Sequence, residues 1–351
     1  MNTLHAFGVV AAGCALLAAS AVAQAQSGPP WPADDQRGMA NTLGPSTWAR
    51  CAPHLADPKA RSYELSYRRS NTMPQSPFGT PLVDKYRPTV GIPGTRHAFN
   101  GEETVSGEPG AQGTQFDALG HFAVLPEPWD GKGDLPAERA TYYGGYKQSE
   151  VKPTPNSPLL KLGVENVPPI VTTAVLLDAK THLGGGKPMQ PGAVVTAADI
   201  EAMLKKQGIG ERGLQRGDVL YIYTGWGDGW KDPDTEKTYY TKGPGLSYDA
   251  AKYIESKQIV LVALDNPFTD PVPDGMLTGK APPPAGVPEG LPFVIHHHDL
   301  VVAGIHQIQN ANLGALANDR VWVSCTIILP LLSQGAAGSP VRPIAIGAPI
   351  Q

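Results

Sequence analysis

Gly217-Asp218-Val219-Leu220-Tyr221-Ile222-Tyr223-Thr224 decides the fold. A glycine–aspartate turn opens into an unbroken apolar and aromatic run, the composition of a strand buried on both faces. Working outward, Ile170 to Asp178 and Ile259 to Asp265 read the same way. Helix patterns lie between them. Thr196 is placed to cap a helix from Ala197 to about Gln207, with Asp199 in its first turn and Gly208 at its stop. Ser247 caps a shorter one, Tyr248 to Lys257. Strand, helix, strand in this order predicts a mixed α/β layer. Farther out, Arg61 to Tyr67 alternates like a strand, Arg96-His97-Ala98-Phe99 begins another, Gly101 to Gly110 is a polar turn, and Val321 to Leu332 is apolar and strand-like. With 40 glycines and 36 prolines, loops should be abundant. Residues 70–95 and 266–292 read as long loops, the second a candidate lid.

The 351-residue chain carries a formal net charge of −4 and no long basic run, which argues against nucleic acid as a partner. Residues 1–25 read as a secretory signal. An apolar run from about Phe7 to Val22 ends in small residues, and Ala21-Val22-Ala23 and Ala23-Gln24-Ala25 both fit a cleavage site. That predicts a periplasmic or secreted protein. No later stretch is long and apolar enough to span a membrane. Residues 26–60, rich in proline and glycine and holding Trp31 and Trp48, read as an N-terminal arm laid over a domain of residues 61–351. Cys51 and Cys325 are free to pair in an oxidising compartment, and neither has the context of a nucleophile. No dinucleotide fingerprint, P-loop or Gly-x-Ser-x-Gly elbow is present.

Chemistry concentrates in Ala111-Gln-Gly-Thr-Gln-Phe-Asp-Ala-Leu-Gly-His121. Asp117 and His121 stand four residues apart, behind a Gly113-Thr114 turn and the amide of Gln115. Carboxylate, imidazole and amide oxygen are groups that hold a divalent metal or move protons around one. The second concentration is His296-His297-His298-Asp299, in an apolar context and followed by Gln309. In an extended strand His296 and His298 share one face and His297 takes the other.

The 111–121 motif, Gly217-Asp218-Val219-Leu220 with Thr224-Gly225-Trp226, the helix–strand pair ending at Asp265, His297 to Gln309, and Gly338-Ser339-Pro340-Val341-Arg342-Pro343 occur together in one order. In that order they resemble the metal-dependent cyclase family of hydrolases, which includes kynurenine formamidase and isatin hydrolase. The resemblance runs from about Asp34 to Ile344. It implies a swivelling β/β/α domain of the cyclase type with long Pro/Gly-rich loops, a homodimer or larger assembly, and a bound manganese or zinc ion. The family signature is His-x-Gly-Thr-His-x-Asp with a further histidine four residues on. Gly113, Thr114, Asp117 and His121 match, whereas Ala111 and Gln115 stand where the family has its two histidine ligands. Carried over, the resemblance implies Gln115, Asp117, His298 and Gln309 as metal ligands, and His121 and His297 as catalytic acid/base residues. Trp226, Tyr143 and Phe116 are candidate pocket walls. The implied function is hydrolysis of an amide, lactam, ester or lactone of a small carbonyl compound. A metal-free enzyme and a periplasmic ligand-binding protein on the same scaffold are the alternatives that the changed ligands leave open.

Overall fold

The computed structural model describes residues 31–350. The expected signal segment, 1–25, lies outside the described residues. Nine strands make one sheet: β1 Arg61–Glu64, β2 Gln115–Asp117, β3 Ile170–Asp178, β4 Val219–Tyr223, β5 Leu261–Leu264, β6 His306–Gln309, β7 Val323–Ile328, β8 Gly338–Pro340 and β9 Ile344–Gly347, in the spatial order β1-β9-β7-β3-β4-β5-β6-β2-β8. The central strands β3, β4, β5 and β6 run parallel, and the flanking pairs are antiparallel. Parallel neighbours need crossovers, and two of these are helices. α2, Ala197–Lys206, joins β3 to β4, and α3, Tyr248–Ser256, joins β4 to β5.

Local chemistry sets these boundaries. Thr196 and Asp199 form a reciprocal capping box on α2: the Asp199 amide donates to Thr196 Oγ1 at 3.1 Å, and the Thr196 amide to Asp199 Oδ2 at 2.9 Å. Ser247 Oγ accepts from Ala250 N at the start of α3. Asp178 caps the turn after β3, accepting from Thr181 N at 2.9 Å. The inward faces of both helices (Ile200, Met203 and Leu204; Ala250, Ala251 and Ile254) bury against Val175, Leu177, Leu220, Ile222, Val262 and Leu264. The alternate residues of the same strands, Ala174, Leu176, Tyr221 and Ala263, with Ile308 of the neighbouring β6, fill the core on the other face.

Ahead of β1, the helix α1, Pro45–Ala56, lies on β3 and β7. Thr47 Oγ1 donates to Val171 O, and Cys51 is disulfide-bonded to Cys325 on β7. No helix among the described residues is long and apolar enough to cross a membrane.

Two loop expectations are corrected. Residues 83–106 form a projecting two-stranded arm: Val83–Lys85 pairs with Thr104–Ser106, and Thr89–Gly91 with Ala98–Asn100, in one shared register. Pro88, which has no amide hydrogen, falls in the gap between the two ladders. One face of the arm leaves Tyr86, Val90, Phe99 and Val105 exposed. The candidate lid is also not a lid at its start. Asn266, Thr269, Asp270 and Val272 are wholly buried, and only the later part runs over the surface.

Candidate metal centre

Strand alternation builds the floor of the site. On β2, Gln115 and Asp117 face one side and Phe116 the other. β6 pairs antiparallel with it, placing Gln309 opposite Gln115 and Gln307 opposite Asp117. Three amides and one carboxylate therefore share a face. Phe116 and Ile308 turn into the core, where the Phe116 ring lies 5.1 Å from that of His306. The turn before β2 is tied to the end of β6. Thr114 Oγ1 donates to Asn310 O at 2.7 Å, and Asn310 Nδ2 donates to Gly113 O at 2.8 Å and to the Tyr240 hydroxyl at 2.9 Å. Gly113 sits at φ +69°, where a side chain would be strained.

After Asp117 a short turn, Leu119–His121, folds His121 back over the carboxylate. Gly120 permits that turn: a Cβ there would meet Leu162 O at 2.9 Å.

The triple histidine is not extended. Val294–His296 is a helical turn that continues into a π-helical segment, His297–Ala303. The strand reading fails because of Asp270, whose Oδ1 accepts from Ile295 N at 2.6 Å and whose Oδ2 accepts from His296 N at 3.2 Å, closing the turn. On a helix three successive side chains fan apart, and these do. His296 Nδ1 lies 2.5 Å from Asp270 Oδ2, and its Nε2 lies 3.9 Å from Asp117 Oδ2 and 3.4 Å from Gln309 Nε2. His298 points the opposite way, its Nε2 3.0 Å from Glu255 Oε2 on α3. His297 is half-buried and does not line the cavity. Of the expected site residues, Gln115, Asp117, His121 and Gln309 come together, His297 and His298 do not, and His296 takes the place given to His298.

One ligand atom each from Asp117, His121 and His296 lies within 4.8 Å of the others. Asp117 Oδ2 and Gln309 Oε1 are buried with no hydrogen-bond partner among the described residues. A buried acceptor without a donor costs about 1–3 kcal/mol, more when charged, so an unpaired carboxylate oxygen beside two imidazoles has the character of a metal ligand. Donor set and orphaned oxygen together fit a divalent cation.

The electrostatics agree. Burial pushes the His296 imidazole down, but the hydrogen bond and charge of Asp270, with the charges of Asp117 and Asp299, outweigh it and leave the pKa raised. Negative charge therefore surrounds this ring. Burial holds the Asp299 carboxyl up at about 7; its Oδ2 accepts from Gln307 Nε2 at 2.8 Å. Burial, helped by the neighbouring His298, lowers His297 against a weaker upward pull from the Asp270 charge.

Above the floor opens a cavity of about 600 Å³. Gln115, His121, His296 and Gln309 line its base, and Phe78, Phe122, Tyr240, Phe268 and Phe293 its walls. The walls differ from those expected. Trp226 packs among Trp230 and Tyr239 instead, the Tyr143 hydroxyl donates to Asp35 Oδ2 at 2.9 Å, and Phe116 belongs to the core. Sequence reasoning also passed over Asp270. One signal was available: Asn266-Pro-Phe-Thr-Asp270 follows a parallel strand, and ligand sites of α/β sheets gather beyond the carboxyl ends of such strands.

Residues 63–271 match the family model described as "Putative cyclase". The chain belongs to the cyclase family. A kynurenine formamidase of Bacillus cereus is 26% identical over 170 residues, 48% of this chain and 65% of that protein, so the chain spans a little under two thirds of that relative's length. The crystal structure of a novel cyclase superposes with a TM-score of 0.71 at 25% identity, covering 90% of this chain and 95% of the other. Isatin hydrolase A from Ralstonia solanacearum gives a TM-score of 0.55 at 19% identity, over 87% and 98%. The mixed α/β architecture of this cyclase-family chain is thus the family's own, as its motifs implied.

Proposed function

We propose that this cyclase-family protein is a metal-dependent hydrolase that opens an amide, lactam, ester or lactone of a small carbonyl compound. The observation that carries the reading is the convergence of Asp117, His121 and His296 beneath an aromatic-walled cavity, with Asp117 Oδ2 unpaired. Asp117 and His296 would hold the ion, joined by the amide oxygens of Gln309 and Gln115. Carboxylate, imidazole and amide donors suit manganese or zinc. Such an ion, when bound, polarises a carbonyl and brings a water's pKa toward neutrality. His121 is the exposed imidazole of the three-residue cluster. That exposure supports a role for it in taking the proton of the attacking water and returning it to the leaving group. The aromatic walls seat the substrate and exclude bulk water. Relatives named kynurenine formamidase and isatin hydrolase favour a C–N bond over an ester.

The test joins elemental analysis of protein purified without chelator to turnover on an amide and ester panel. The expected result is about one manganese or zinc per chain and activity abolished by chelation. His121→Ala should lose a hundredfold or more in kcat while keeping its metal, and His296→Ala should lose the metal itself. Chelator-insensitive turnover would replace this mechanism with metal-free acid/base catalysis by His121. Absence of both metal and turnover would leave a ligand-binding protein.

Two further proposals concern the setting. The chain is exported to the periplasm or beyond the cell; the Cys51–Cys325 bond supports this because disulfides persist in oxidising compartments. Cell fractionation placing it in the cytoplasm would refute it. The chain also assembles as a homodimer or larger, with the apolar face of the 83–106 arm as contact. Sedimentation should give at least twice the chain mass, and Val90→Asp with Phe99→Asp should reduce it. A single-chain mass for the unaltered protein would end the idea.

A further inference from the structure

The metal reading leaves one question open in the chemistry of the site: what makes His296, of three adjacent histidines, the ligand. Asp270 makes three contacts that bear on it. Its Oδ1 accepts from Ile295 N at 2.6 Å, its Oδ2 accepts from His296 N at 3.2 Å, and the same Oδ2 lies 2.5 Å from His296 Nδ1. The first two close the helical turn that points His296, and neither of its neighbours, toward Asp117. The third places a carboxylate on one ring nitrogen and leaves Nε2 facing Asp117 Oδ2 and Gln309. Asp270 is wholly buried, as is the adjacent Thr269, whose Oγ1 lies 3.3 Å from His296 Nδ1 and donates to Gln307 Oε1 at 2.9 Å. A carboxylate on the far nitrogen of a ligating imidazole fixes its tautomer and orientation and raises its basicity.

We propose that Asp270 is the positioning residue of the site: through one carboxylate it selects His296 from the His296-His297-His298 run and holds its ring as the Nδ1–H tautomer, with the Nε2 lone pair directed at the Asp117 position. The proposal rests on the metal reading for its consequence, but its structural content, the tautomer and the rotamer, is defined without any metal.

The experiment is ¹⁵N–¹H correlation spectroscopy of the imidazoles in metal-free protein. His296→Gln identifies the His296 signals, and Asp270→Asn is compared with the unaltered chain above the pH at which the ring is neutral. An asparagine keeps an oxygen to accept from Ile295 N, the shorter of the two backbone contacts, so the turn survives. Its NH₂ can no longer accept from Nδ1. The unaltered chain should show His296 protonated on Nδ1. Asp270→Asn should move the proton to Nε2, with the circular dichroism and melting temperature of a folded protein. Titrated with manganese and with zinc, Asp270→Asn should bind about 10- to 100-fold more weakly. A merely structural role would leave the tautomer unchanged. An Nε2–H tautomer in the unaltered chain, or metal affinity undiminished in Asp270→Asn, overturns the proposal. If the unaltered chain binds neither metal, the metal reading fails by itself, and the tautomer still decides the role of Asp270. Should Asp270→Asn not fold, Asp270→Glu, whose longer carboxylate keeps the charge and misplaces the contact, supplies the same spectral comparison.

Discussion

Gln115 is, with Ala111, one of the two positions at which the sequence departs from the signature that the resemblance implies. It sits across the sheet from Gln309, lines the cavity, and its Nε2 lies 3.5 Å from Asp117 Oδ1. An amide oxygen is a hard, weak donor and imidazole a stronger one for zinc. The strand already aims position 115 at the site, so Gln115→His should restore a ligand without moving the backbone. The expected outcome is zinc affinity at least tenfold higher, about 1.4 kcal/mol, read by competition with a chromophoric chelator. Unchanged affinity would mean that position 115 does not reach the ion. The part of the site on β2 was legible in the sequence because its geometry is local: Asp117 and His121 are set by one strand end and one turn. His296 was not. Choosing among three adjacent histidines depends on whether the backbone is extended or helical. Asp270, 26 residues earlier in the chain, makes that choice by capping the turn.

At the scale of elements, the strands and capped helices could be read because their signals lie within them. Apolar runs such as Val219–Tyr223 and the Thr196/Asp199 box carry their own instructions. Of the 83–106 arm only the strand beginning at Arg96–Phe99 could be read, because the arm's residues alternate without a buried face, and Pro88, Pro93, Gly91, Gly94 and Gly101 read as loop. β6 hides a different feature, a wholly buried histidine. Burial pushes His306 from the ordinary 6.5 down to about 4, against weaker upward pulls from Arg37 O, the Asp117 backbone and the Asp35 and Asp117 charges. An unfolded chain takes this proton near pH 6.5 and the folded chain only near 4. Between those values the unfolded state binds more protons, so stability is full above the upper one and is lost as pH falls toward the lower. The loss from this one group is roughly 3 kcal/mol. His306→Gln cannot titrate, so its urea-derived stability should fall less across that window than that of the unaltered chain. Parallel curves for the two proteins would show that His306 does not carry this dependence.

Over the whole molecule, the organisation runs back to Asp218 in the stretch that opens β4. Its buried carboxylate accepts from Thr173 Oγ1 at 2.6 Å and pairs with Arg212 at 2.7 Å and with Arg50 of α1 at 3.4 Å. Besides the Thr47 hydrogen bond, α1 is therefore held on the sheet by this ion pair and by the Cys51–Cys325 bond, which joins residues 274 apart in sequence. A link across so long a loop restricts the unfolded chain far more than the folded one, whose ends α1 already brings together by packing. Cys51→Ala/Cys325→Ala should therefore fold with the same sheet and the same cavity, yet be less stable by roughly 2–5 kcal/mol. That would appear as a lower urea midpoint with an unchanged or steeper slope, because an uncrosslinked unfolded chain exposes more surface. Reducing agent should bring the unaltered protein to the same midpoint and leave the double variant where it is. The site lies on β2 and β6, the turn after β2 and the helical turn that carries His296, away from α1, so metal binding to the folded double variant should match that of the unaltered chain. Equal midpoints with and without reductant would show that the α1 packing and the Asp218 pairs alone hold the N-terminal helix. Lost metal binding in the folded double variant would show instead that α1 and the site are mechanically coupled across the sheet.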